Sequence, residues 1–246
     1  MHSEPIDIRK TAILLDIDGT LLDLAPTPHD VRVPSTLRRT LERLQECTSG
    51  ALALVSGRSL DDIDLIFKPL KLSAVGGHGA EIRLKANGAP NRNVALPLDD
   101  ELKQQLINIA HLDPAIIVED KDYSLAIHYR LVPDKRRAIE DAIEDIRAEL
   151  PDSIEVLPGK SVIEVKKIGF NKGTAIRELM SHPPFAGRRP IFVGDDTTDE
   201  AAFAVMPEFD GLAVSVGRMV PGVAKRFETP GDVRRWLERI AKSTGA

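Results

Sequence analysis

Asp16 and Asp18 stand two residues apart at the end of an apolar run, in the stretch LLDIDGTLLD. Carboxylates at that spacing repel each other. A chain that ends a buried strand on them must offset the cost with a cation, a shared proton or solvent. Three other places carry reactive groups after similar signals. Ser56 ends the apolar run Ala51 to Val55, and Lys172 opens a helical pattern. Asp195, Asp196 and Asp199 follow Ile191 to Val193 within GDDTTDE. Asp16, Asp18 and Asp195 make a carboxylate cluster suited to a hard divalent cation, and magnesium takes a few such oxygens together with water and a phosphate. Lys172 adds a fixed positive charge, and Ser56 a hydroxyl and a backbone N–H. Together they make a phosphate site with a metal beneath it. A carboxylate beside such a phosphate can attack phosphorus, while a second protonates the leaving oxygen and later activates water. Asp16, at the rigid strand end, is assigned as nucleophile. Asp18, in the following turn, is assigned as acid/base. Gly19 permits that turn, and Thr20 is expected to hydrogen-bond the loop or the phosphate.

These groups are far apart in sequence, so the elements must gather them. Ala12 to Leu15 and Ala51 to Val55 read as buried strands, with a helix from Pro34 to Gln45 between them. Ser59 is a predicted N-cap for a helix over Leu60 to Phe67. Ser73 to Arg83 reads as extended structure broken by glycines. Strand and helix alternate, the signature of a parallel sheet covered on its faces. Residues 99 to 168 read differently, as αββαββ: helices at Asp99 to Leu112 and Asp134 to Leu150, and hairpins at Ile116 to Tyr129 and Ile154 to Val165. That order predicts an antiparallel sheet with helices on one face. The alternating pattern then resumes. The expected organisation is a discontinuous α/β core (1–98 and 169–246) with an inserted α+β domain (99–168). In an open parallel sheet, ligands bind beyond the carboxyl ends of the strands, where Asp16, Asp18, Ser56 and Asp195 fall.

The bulk numbers narrow the function classes. A net charge of −5 disfavours a nucleic-acid partner, and 4% aromatic residues leave little for base stacking. The one cysteine, Cys47, admits no intrachain disulfide. No apolar run approaches the roughly 18 residues of a membrane span, and MHSEPIDIRK lacks the apolar stretch of a signal peptide. The expectation is a cytoplasmic enzyme acting on a small molecule.

DIDGT (16–20), SGR (56–58), NKG (171–173) and GDDTTDE (194–200) resemble the motifs of the haloacid dehalogenase (HAD) superfamily of phosphatases. The resemblance implies a HAD-like doubly wound, mostly parallel, Rossmann-like sheet with a C2-type cap inserted between the second and third motifs. It implies Mg2+ held by Asp16, the Asp18 carbonyl and Asp195, with Asp196 and Asp199 in support. Ser56 and Lys172 would sit on the phosphate, with Thr20, Gly57 and Arg58 among the substrate-binding residues. GGHGAE (76–81), EDKDYSLAIHYR (119–130) and PGKSVIEVK (158–166) narrow it further, to a resemblance with the trehalose-6-phosphate phosphatase family. The sugar-binding residues this implies are Glu119, Lys121, His128, Arg130 and Glu164 in the cap, joined by His78 and Glu81 from the core. It also implies a role in trehalose biosynthesis and functional coupling to a trehalose-6-phosphate synthase. Other sugar phosphates, sucrose phosphate or mannosyl-3-phosphoglycerate, are the alternative substrates. A non-catalytic sugar-phosphate sensor is the alternative class. Alternation along Ser124 to Arg130 places His128 and Arg130 on one face.

Overall fold

A computed structural model describes residues 7–25, 31–91, 95–149, 154–159 and 161–243. The chain divides into two compact units, Met1–Val94 with Phe170–Ala246, and Ala95–Gly169.

The first unit is built on β1 (Thr11–Leu15), β2 (Leu52–Val55), β3 (Ser73–Gly76), β4 (Glu81–Arg83), β9 (Arg189–Gly194), β10 (Leu212–Val216) and β11 (Lys225–Phe227). They form one sheet in the order β11-β10-β9-β1-β2-β3-β4, parallel throughout except for the β3–β4 pair. β1 is buried along its whole length because both faces of the sheet are covered. Ile13 and Leu15 pack with Leu37, Leu41 and Leu44 of α1 (Ser35–Cys47), Ile63 and Phe67 of α2 (Leu60–Phe67), and Leu237 of α7 (Pro230–Ser243). Ala12 and Leu14, pointing the other way, pack with Ile176 and Leu179 of α5 (Lys172–Met180) and Phe203 of α6 (Glu200–Val205). The period-two alternation of one strand thus divides the core into two layers. β2 and β9 flank β1 on opposite sides, which makes the carboxyl end of β1 the switch point of the sheet. β11 has no counterpart in the sequence reading; three residues are too few for a periodic signal.

The second unit is a four-stranded antiparallel sheet in the order β5-β6-β8-β7, from β5 (Ile117–Asp120), β6 (Ser124–His128), β7 (Ile154–Gly159) and β8 (Val162–Lys167). Leu125, Ile127, Ile163 and Val165 share a core with Leu102 and Leu106 of α3 (Asp100–Asn108) and Ile139 and Ile143 of α4 (Arg136–Glu149). The other face carries Glu119, Ser124, His128, Glu155, Glu164 and Lys166, as the pairing register requires. The predicted helix from Asp134 is observed as a 3-10 turn followed by α4, and its predicted last residue, Leu150, lies outside the described residues. So does Lys160 of the PGKSV stretch. β6 ends at His128, and the chain then turns, so Arg130 leaves the strand and does not share the face of His128.

Candidate active site

Asp16 follows β1 directly, and its N–H donates to the Val193 carbonyl across the sheet at 2.9 Å. It is 5% exposed. Burial raises its pKa well above the ordinary carboxylate range, Asp199 and Asp195 push in the same direction, and Lys172 opposes them. Lys172 opens α5, whose first turn is fixed by Asn171: the Asn171 side chain accepts from the Thr174 N–H, and the Thr174 hydroxyl accepts from the Asn171 N–H, each at 2.9 Å. The Lys172 ammonium donates to Asp16 Oδ1 at 2.7 Å and to Asp199 Oδ1 at 2.6 Å. Burial disfavours its charge, but the two carboxylates outweigh that and raise its pKa.

Asp199 is fully buried and accepts twice more, from the N–H groups of Asp195 and Asp196 at 2.9 and 3.0 Å. It therefore shapes the loop that follows β9 while orienting Lys172. Asp195 Oδ1 accepts from the Thr20 hydroxyl at 3.1 Å. Burial and then Asp199 push the Asp195 carboxyl up to about 6. Gly19, at φ +79°, passes so close to this group that a Cβ there would lie 2.1 Å from Asp195 Oδ2. Gly19→Ala is expected to lower activity by displacing Asp195, with a fall in melting temperature as the accompanying sign of strain.

Asp16, Asp195 and Asp199 each offer an oxygen within 4.8 Å of the others. The sequence reading placed Asp18 in this carboxylate cluster. The structure groups Asp199 with Asp16 and Asp195 instead, and both oxygens of Asp18 are engaged by Arg58, at 2.6 Å from Nε and 2.7 Å from Nη2. The three clustered acids against Lys172 leave two negative charges uncompensated when all are ionised. An all-oxygen donor set with that charge deficit fits a hard divalent cation.

Ser56 follows β2 and is buried; its Oγ accepts from the Arg58 N–H at 3.1 Å, and its carbonyl accepts from the His78 N–H at 3.1 Å. His78 sits at φ +54° between two glycines. Its ring lies against Gly57, where a Cβ would come within 2.3 Å of Nε2, so Gly57 is a packing requirement of His78. Glu81 is buried, and its Oε2 accepts from the Leu60 N–H at 2.7 Å, at the first turn of α2. That helix is also capped by Ser59, as predicted. Asp196 is exposed and caps the short turn at Thr197–Asp199.

Within the second unit, Glu164 is the centre of a polar group. It accepts from Ser124 Oγ at 2.7 Å and from the Lys121 ammonium at 3.1 Å. Glu119 and His128 pair at 3.0 Å. Arg130 is exposed in the turn after β6. Lys166, absent from the sequence-derived set, pairs with Glu155 at 2.5 Å on the same face of the sheet.

Arg218 was also missed. It donates to the carbonyls of Asp195 and Asp196, each at 2.8 Å, and pairs with Glu200 at 2.8 Å. It therefore clamps the acidic loop. The only sequence signal was its place just past β10, the strand beside β9.

The sheet, its switch point and the second α+β unit define a HAD-like fold. Solved structures of that architecture include a phosphatase of the HAD superfamily from Bacteroides thetaiotaomicron (TM-score 0.68, 14% identity, 99% of each chain). Another is the Candida albicans trehalose-6-phosphate phosphatase C-terminal domain (TM-score 0.79, 21% identity, 95% of this chain and 92% of that one). At those identities the likeness is one of fold. A family model described as Trehalose-phosphatase matches residues 14–229, and the chain belongs to that family. It is 40% identical to a probable trehalose-phosphate phosphatase of Sinorhizobium fredii (strain NBRC 101917 / NGR234) over 87% of this chain and 81% of that protein. It is 37% identical to the trehalose-6-phosphate phosphatase of Escherichia coli (strain K12) over 94% and 86%. Among the described residues, no helix is long and apolar enough to cross a membrane.

Proposed function

We propose that this chain hydrolyses trehalose 6-phosphate to trehalose and phosphate through a phosphoaspartyl intermediate on Asp16, with Mg2+ as cofactor. The observation that carries the chemistry is the buried Asp16 held by Lys172 beside two further carboxylates. A hydrolytic site with a fixed ammonium and a cation-hungry acid cluster suits a phosphate dianion. The sugar rests on the relatives of 37–40% identity, named for trehalose phosphate.

In this reading an Asp16 carboxylate oxygen attacks phosphorus and the bond to the sugar oxygen breaks. Asp18 gives its proton to that oxygen. It then takes a proton from the water that attacks phosphorus, releasing phosphate and regenerating Asp16. Lys172 and Ser56 hold the phosphate oxygens. A Mg2+ held by Asp16, Asp195 and the Asp18 carbonyl would supply charge neutralisation between the two reacting anions. Thr20 and Asp199 keep Asp195 and its loop in place. Glu119, Lys121, His128, Arg130 and Glu164 read sugar hydroxyls, since a polar ligand must have its groups paired. His78 and Glu81 support the core side of that recognition. The reaction belongs to trehalose biosynthesis in the cytoplasm, after a synthase that makes the phosphorylated disaccharide.

Phosphate release from trehalose 6-phosphate, sucrose 6-phosphate, glucose 6-phosphate and mannosyl-3-phosphoglycerate, each with Mg2+ and with EDTA, tests the reading. Strong Mg2+-dependent preference for trehalose 6-phosphate is expected. Preference for another sugar phosphate would overturn the sugar assignment, and release from none would favour a sensor.

The metal assignment carries its own pH signature. The Asp195 carboxyl is raised from 3.8 to about 6 in the fold, so its contribution to stability is present below pH 4 and lost as pH rises through about 6. Metal ligands must be deprotonated. The stabilisation by Mg2+ over EDTA is therefore expected to grow between pH 5 and pH 8. At a hundredfold excess over Kd it should reach about 2.7 kcal/mol. In a chain this long that is roughly 5–10 °C. A melting temperature indifferent to Mg2+ at pH 8 would contradict it.

A further inference from the structure

The two aspartates of the opening turn do not share a cation. Lys172 serves Asp16, at 2.7 Å. Asp18 is gripped by Arg58 through two parallel bonds, Nε to Oδ2 at 2.6 Å and Nη2 to Oδ1 at 2.7 Å. That fork-on-fork geometry fixes the plane of a carboxylate, which a single point charge does not. The Arg58 side chain is 12% exposed and that of Asp18 31%, so the pair is partly withdrawn from water.

Arg58 is itself held. Its N–H donates to Ser56 Oγ at 3.1 Å, and its carbonyl accepts from the Gly77 N–H at 2.8 Å. The Asp18 end is also fixed: the turn closes through Gly19 N–H to the Leu22 carbonyl at 2.8 Å and Leu22 N–H to the Ile17 carbonyl at 2.9 Å. A carboxylate has about four lone-pair sites, and the guanidinium occupies two. Among the described residues the side chain of Asp18 bonds only to Arg58, which leaves the others for a leaving oxygen or a water. The sequence reading had put Arg58 among the substrate-binding residues.

We infer that Arg58 is the positioning residue of Asp18, acting on the reaction through that side chain and not through the phosphate. This rests on the reading of Asp18 as acid/base. It separates two kinds of substrate. A sugar oxygen is a poor leaving group and needs the proton from Asp18. The p-nitrophenolate ion leaves without one. Loss of alignment should therefore slow release of the sugar in the first step and largely spare release of the phenolate, while the second step, in which Asp18 deprotonates water, is common to both substrates.

The experiment compares wild type, Asp18→Ala, Arg58→Ala, Arg58→Lys and the Asp18→Ala/Arg58→Ala double variant on trehalose 6-phosphate and p-nitrophenyl phosphate, following release of the leaving group in a single turnover, which reads the first step alone. All are measured with saturating Mg2+, with thermal melts as folding controls. Asp18→Ala is expected to lose roughly 10²–10⁴ in the rate of trehalose release in that turnover and little in the rate of p-nitrophenol release. Arg58→Ala should lose roughly 10- to 100-fold in the rate of trehalose release alone, with the half-saturating substrate concentration held within about twofold. Arg58→Lys, which keeps the charge without the fork, should fall between, and it carries the test if Arg58→Ala does not fold. In the Asp18→Ala background, Arg58→Ala should cost nothing further.

Losses that multiply in the double variant would overturn the inference, as would a rise in half-saturating concentration on both substrates or an Arg58→Ala enzyme with an unchanged rate of trehalose release. Those outcomes leave Asp18 as acid/base. An Asp18→Ala loss in leaving-group release equal on both substrates would instead overturn the reading of Asp18 as acid, and the role of Arg58 with it.

Discussion

Asp16→Asn is expected to remove phosphate release almost completely, by more than about 10³-fold, the scale on which enzymes lose rate with their nucleophile. The substitution keeps shape and deletes charge. Asparagine still accepts from Lys172, so the ammonium need not move. The amide oxygen is a far poorer nucleophile than a carboxylate. Stability should move the other way. Burial already holds the pKa of Asp16 well above its ordinary range, which means that its ionised form is costly in the fold at neutral pH. The variant should melt at or above the wild-type temperature in EDTA, and gain less from Mg2+. Dead and at least as stable is the signature of a functional charge. Dead and unfolded would say that Asp16 is structural. Phosphate release together with thermal melts in EDTA and Mg2+ separates the two.

Lys172→Met is expected to be dead for a different reason. It leaves Asp16 and Asp199, at 5% and 0% exposure, without the cation they share. Removing one partner of a buried charge group typically costs about 3–5 kcal/mol. At pH 7.5 in EDTA the melting temperature should fall sharply. With the lysine gone, the burial that already raises the Asp16 pKa is no longer opposed by that cation. The loss should therefore shrink as pH falls and Asp16 takes up a proton. Mg2+ should also recover part of it. A variant as stable as wild type across that range would mean that the Lys172 bridge contributes little to holding the acid cluster.

The sequence was most readable where local signals and topology agreed. β1 and β2 are short apolar runs that end on polar residues, and alternation of strand and helix gives the parallel sheet. Once that sheet is assumed, Asp16, Ser56 and Asp195 must meet at one edge. Ser59 capping α2 was legible because capping is a local bond. What was not legible is long-range pairing. Asp18 and Arg58 are forty residues apart, and no periodicity says that a guanidinium will engage both oxygens of that aspartate. Asp199 looked like support. Its real position depends on the 3-10 turn that aims it back at two backbone N–H groups and Lys172. The bond from Glu81 to the first turn of α2 was likewise not legible. The shared face of His128 and Arg130 assumed that the strand ran on, but the chain turns after His128. β8 runs two residues past the predicted hairpin, to Lys167, which pairs with Ile154 in the ladder.

The measurement closest to the central claim is a rapid-quench single turnover of trehalose 6-phosphate, followed by mass analysis of the peptide holding Asp16. A phosphoryl adduct on Asp16 that forms with trehalose release and decays as phosphate appears is the expected result, with none in Asp16→Asn. Full turnover with Asp16 unmodified throughout, and an Asp16→Asn enzyme that still releases phosphate, would contradict it.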